Sequence, residues 1–128
     1  MKKILLVLLI SSWINSNSEV YFIEPKNGDI VPNTFIVKFG LSNFGVAPAG
    51  YNVPNTGHHH LLINVDIPED LSQPIKADKN HVHFGLGQTE AEVKLEKGTY
   101  RLRLLMGNYL HIPHNNPLFS EEITVIVE

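Results

Sequence analysis

All seven histidines of the chain lie between residues 58 and 114, in three groups: His58, His59 and His60; His81 and His83; His111 and His114. Neutral imidazole is a strong ligand for borderline ions, and sites built only from nitrogen suit Cu²⁺ or Zn²⁺. The absence of cysteine excludes thiolate ligation. Met106, the one methionine beyond the amino-terminal segment, falls in an apolar alternation that reads as core, so a thioether site for Cu⁺ is not expected.

Residues two apart on a strand share a face, so His58 with His60, and His81 with His83, each offer a pair of rings. His111 and His114 flank Ile112 and Pro113 in a segment that reads as a loop, where a turn brings both rings inward. The candidate metal ligands are therefore His58, His60, His81, His83, His111 and His114. The first placement puts His58, His60, His83 and His114 nearest the ion, with His81 and His111 next. His59 shares its face with Leu61, Ile63 and Val65 and is expected in the core or in a polar network. Asp66 and Asp78 stand close enough in sequence to orient imidazoles from behind. A lone strand histidine commonly satisfies buried backbone groups and binds nothing. Three groups become a site only if the fold brings them to one place.

The elements that must do so are strands. From Glu19 onward the chain alternates apolar and polar residues in short runs broken by Gly, Pro and Asn, and no stretch keeps a 3.6-residue apolar period. Runs at 20–23, 34–42, 58–65, 81–84, 90–95, 100–106 and 123–127 give about seven strands. Two half-apolar sheets must cover each other's faces, which predicts an all-β fold, an immunoglobulin-like antiparallel sandwich, with a small barrel as the alternative. Tyr100 follows the Glu96-Lys97-Gly98 turn, where a sandwich places a corner tyrosine bonded to nearby backbone. Asn43 to Gly57, rich in Gly, Pro and Asn, reads as a long connection with little regular structure.

The first residues, Met1-Lys2-Lys3 followed by the apolar run 4–10 and then Ser and Asn, have the layout of a secretory signal peptide. Residues 1–18 are expected to be removed before Glu19, with a cut after Ser16 as the alternative, leaving 19–128 as a single domain. The apolar run is too short to span a bilayer. With Lys2 and Lys3 removed from the ten basic side chains, eight stand against thirteen acidic ones, a net charge of −5 with histidines neutral. A mildly acidic domain without basic runs argues against nucleic acid and anionic lipid as partners. No nucleophile motif or phosphate-cradling glycine loop is present. Glu121 and Glu122 alternate faces, which disfavours a shared acid/base pair.

The segments Gly45-Val46-Ala47-Pro48-Ala49-Gly50, Thr56-Gly57-His58-His59-His60-Leu61-Leu62-Ile63, His81-Val82-His83-Phe84-Gly85-Leu86-Gly87-Gln88-Thr89-Glu90 and Gly107 with His111-Ile112-Pro113-His114 resemble, in that order, the bacterial secreted family catalogued as domain of unknown function 4399. The likeness covers roughly residues 40 to 127 and rests on four ordered motifs. It implies an exported β domain whose distinguishing residues are these histidines. The family pattern often has an acidic residue after Gly107 and another after His114, where this chain has Asn108 and Asn115.

The expected function is a periplasmic or secreted binding domain that holds a copper or zinc ion through its histidines. The alternatives are a non-metal envelope interaction or structural domain with a histidine hydrogen-bond network, and, more weakly, a small metal-dependent enzyme. Free imidazole titrates near pH 6.5, which predicts metal binding that fades below about pH 6.

Overall fold

The computed structural model describes residues 1–4 and 17–128. The apolar run of the expected signal peptide falls mostly on 5–16 and so lies outside the described residues. Among the described residues there are nine strands and no helix: β1 (Glu19–Glu24), β2 (Ile30–Val31), β3 (Thr34–Ser42), β4 (Gly45–Val46), β5 (Thr56–Ile63), β6 (His81–Phe84), β7 (Glu90–Lys94), β8 (Gly98–Gly107) and β9 (Ile123–Val127). Seven are the strands expected from alternation. The other two are two-residue pairings too short to carry a period; one of them, β4, lies inside the connection from Asn43 to Gly57.

A three-stranded sheet has the order β1-β3-β7. The larger sheet runs β2-β9-β8-β5, and along β5 both β4 and β6 pair. The two sheets do not close into a barrel, and the fold is an all-β sandwich. Between them lies the main core, with Phe35, Val37 and Phe39 of β3 against Leu61 and Ile63 of β5, Leu102, Leu104 and Met106 of β8, and Val125 and Val127 of β9. Each fully buried side chain of this kind contributes about 1.5–3 kcal/mol relative to exposure. The corner is as expected: Tyr100 Oη donates to the Glu96 carbonyl at 2.7 Å.

β5 is buried on both faces, which positions the site. His59, Leu61 and Ile63 point into the sandwich, while His58, His60 and Leu62 point outward, yet all six are buried. Outside, Leu62 and Leu105 pack with Ile75, Val65 and Ile67 in a second, smaller cluster. Ile75 belongs to the connection between β5 and β6, which folds back over the sheet. Val65, expected on the inner face, joins this outer cluster because β5 ends at Ile63 and Asn64 takes φ 57°. A left-handed residue breaks the two-residue alternation that the expectation assumed.

Candidate metal centre

The register of β5 against its neighbours assembles the site. His60 lies opposite His83 of β6 and opposite Leu105 of β8, and His58 lies opposite Gly107 at the end of β8. Directly opposed residues share a face, so the His58, His60 and His83 rings are all carried on the outer side of the larger sheet. A fourth ring arrives from the turn after β8. Asn108 accepts through Oδ1 from the backbone N–H of Leu110 at 2.9 Å and of Ile112 at 3.0 Å. The His111 N–H donates to the Asn108 carbonyl at 2.9 Å, and the Asn108 N–H to the Ile112 carbonyl at 2.8 Å. These four bonds hold His111 at φ 63°, a conformation that costs a non-glycine residue about 1–3 kcal/mol and persists only where its surroundings fix it. The His111 carbonyl in turn accepts from Ile75 N–H at 2.8 Å, tying the two covering segments together.

The consequence is a three-histidine convergence. His58 Nε2 lies 2.9 Å from His111 Nδ1, and His60 Nε2 lies 3.4 Å from the same atom. One ring nitrogen from each of His58, His60 and His111 lies within 4.8 Å of the other two. His58 and His60 are fully enclosed, so the partly exposed His111 marks the side from which solvent reaches the group. Gly107 makes room for the trio and Gly57 for His114 beside it. A Cβ on Gly107 would stand 2.5 Å from His60 Cε1 and 3.3 Å from His111 Cα, and a Cβ on Gly57 would stand 2.8 Å from His114 Cε1.

Enclosure also sets the charge state. Burial, reinforced by the neighbouring His111, His83 and His114 rings, pushes His58 down to about 4. Burial together with His83, His58 and His111 pushes His60 down to about 2. His111 is lowered by burial and by His83. The trio is therefore neutral at physiological pH, the form that ligates. Nδ1 of His58 and of His60 is buried without a hydrogen-bond partner among the described residues.

The remaining histidines are distributed as follows. His83 stands with the group, its ring centre 4.2 Å from that of His60 and 4.8 Å from that of His111, and its Nε2 donates to the Lys76 carbonyl at 2.7 Å. His81 carries its Nδ1 to the Asp78 carboxylate at 2.7 Å, outside the convergent trio. His114, placed from sequence among the nearest, donates Nε2 to the Thr56 carbonyl at 2.9 Å and sets its ring edge-on to Phe44. His111, placed from sequence behind it, holds the centre instead. The order is reversed because Asn108 organises a tight turn that spacing alone does not reveal. His59 stacks on Phe39 at 4.6 Å inside the sandwich, and burial holds it near 4. Asp78 backs His81 as expected of an orienting carboxylate, whereas Asp66 pairs with Arg101 at 2.9 Å.

One family model matches residues 37–128, from the middle of β3 through all seven histidines to the carboxyl end. The chain belongs to that family, described as Domain of unknown function (DUF4399). No curated protein and no solved structure matches the chain. The DUF4399 match contains every side chain of the convergent group and Gly107, which makes room for it. Asn108 supplies the side-chain oxygen that the turn requires, and a carboxylate at that position would accept the same two N–H groups.

Proposed function

We propose that this DUF4399 domain is an exported binding module that holds one transition-metal ion, Cu²⁺ or Zn²⁺, through His58, His60 and His111. The observation that carries this reading is the meeting within 4.8 Å of three neutral ring nitrogens, two from β5 and one from the turn after β8 some fifty residues on. An ion at about 2.0–2.1 Å from each nitrogen fits inside such a triangle with small ring movements. Enclosure of two of the three rings weighs against catalysis, which needs a coordination position open to substrate. Export rests on the cationic start, the short apolar run and the small polar residues before Glu19.

Calorimetric titration of the purified chain with Zn²⁺ and with Cu²⁺ tests the reading. One ion per chain is expected, together with stabilisation of about 2.7 kcal/mol when free metal is a hundredfold above its Kd. His58→Ala and His111→Ala should each abolish the tight site. Binding that survives both substitutions, or a wild-type chain that takes up no ion, contradicts it.

A further inference from the structure

The trio does not exhaust the imidazoles at this locus. The ring centres of His58, His60, His83 and His111 form a closed quadrilateral: 4.5 Å from His58 to His60, 4.2 Å from His60 to His83, 4.8 Å from His83 to His111 and 4.7 Å from His111 back to His58. The diagonal from His60 to His111 is 5.7 Å. These lengths bear on whether the four rings can share one ion. A ligating nitrogen lies about 1.15 Å from its ring centre and about 2.0–2.1 Å from the ion, so each ring centre stands about 3.2 Å from the metal. Four rings on a tetrahedron are then all about 5.2 Å apart; on a square they are about 4.5 Å along the sides and about 6.4 Å across.

The four sides lie near the spacing of neighbours on a square, while the 5.7 Å diagonal falls between the two geometries, so the four rings surround one point without selecting either. The nitrogens do not single out a square: His58 Nε2 and His111 Nδ1 are 2.9 Å apart. His60 Nε2 and His111 Nδ1, across the diagonal, are 3.4 Å apart, near the roughly 3.3 Å of tetrahedral ligands and short of the roughly 4.1 Å expected across a square.

His83 is prepared for the fourth position by its hydrogen bond. The Lys76 carbonyl only accepts, so Nε2 of His83 carries the proton, and in the neutral ring Nδ1 holds the lone pair. A backbone carbonyl behind the far nitrogen is the arrangement that fixes the tautomer and orientation of metal-binding histidines. His81 and His114 carry comparable bonds, to Asp78 and to Thr56, but stand outside the quadrilateral.

We propose that His83 is the fourth ligand, completing a set of four imidazoles with His58, His60 and His111. The inference rests on the trio holding an ion at all and adds to it the fourth ligand. Binding would also pin the β5–β6 connection, since His83 grips Lys76 while its other nitrogen joins the metal.

Pulsed electron paramagnetic resonance on the full chain loaded with one equivalent of Cu²⁺ counts the imidazoles in the equatorial plane. Four are expected. His83→Gln keeps a donor for the Lys76 carbonyl but removes the ring; it should show three imidazoles and at least tenfold weaker Cu²⁺ binding. The wild-type count needs no variant, so a poorly folding substitution leaves the test intact. Three imidazoles in the wild type, unchanged by H83Q, would overturn the fourth ligand while leaving the trio standing. A wild-type chain that binds no ion would remove the underlying reading itself.

Discussion

At the scale of single residues the site is a matter of room as much as of ligands. Gly107 is occupied as glycine because the His60 ring fills the place of a side chain, with Cε1 2.5 Å and Nδ1 3.1 Å from where a Cβ would sit. Gly107→Ala should therefore displace His60 and cost about 1–3 kcal/mol of stability, as overpacking does elsewhere. It should also weaken metal uptake; chemical denaturation of the apo form and a metal titration of the variant check both. The histidine pattern itself was legible in the sequence, because two-residue spacing on β5 and β6 dictates shared faces. Which members converge was not. His111 reaches the centre through a left-handed backbone position, and His114 is drawn off by the Thr56 carbonyl; neither follows from spacing.

At the scale of elements, the turn after β8 decides whether the third ring arrives. Asn108 supplies its acceptor oxygen to two N–H groups, so Asn108→Ala should lose about 1–3 kcal/mol. Metal affinity should fall about 10–100-fold, the range seen when a group supporting a metal ligand is removed. Asn108→Asp keeps the acceptor and should retain most of the affinity. Equal affinity in the alanine variant would show that His111 does not need this turn. Seven strands and the Tyr100 corner were readable because alternation and turn residues encode them directly. β2 and β4 were not, since two residues carry no period. The outward burial of β5 was also hidden: a strand covered on both faces shows no alternation, and what covers its outer face is loop rather than sheet.

At the scale of the whole molecule, enclosing several imidazoles ties stability to pH. An unfolded histidine titrates near 6.5, whereas folded His58 and His59 do so near 4 and His60 near 2. Between these limits the unfolded chain binds more protons, so stability rises with pH. The apo fold should hold full stability above about pH 6.5 and lose it progressively as pH falls toward 4, with a further loss toward 2 from His60. Urea unfolding between pH 7 and pH 4 checks the sign; stability that is flat or rising on acidification would contradict the burial argument. The same shift revises the expectation that metal binding fades below about pH 6. Protons compete with the ion only where the folded rings titrate, and burial lowers all three ligands, so metal binding should persist to lower pH than free imidazole would allow, provided the chain stays folded.

The central claim is that rings carried by β5 and by the turn after β8 share one ion. The most direct measurement is anomalous diffraction from crystals of the chain grown with Cu²⁺ or Zn²⁺. The account predicts a single strong peak about 2.0–2.1 Å from one ring nitrogen of each of His58, His60 and His111. A peak bound elsewhere, or no peak while the three rings remain bonded only to one another, would contradict it.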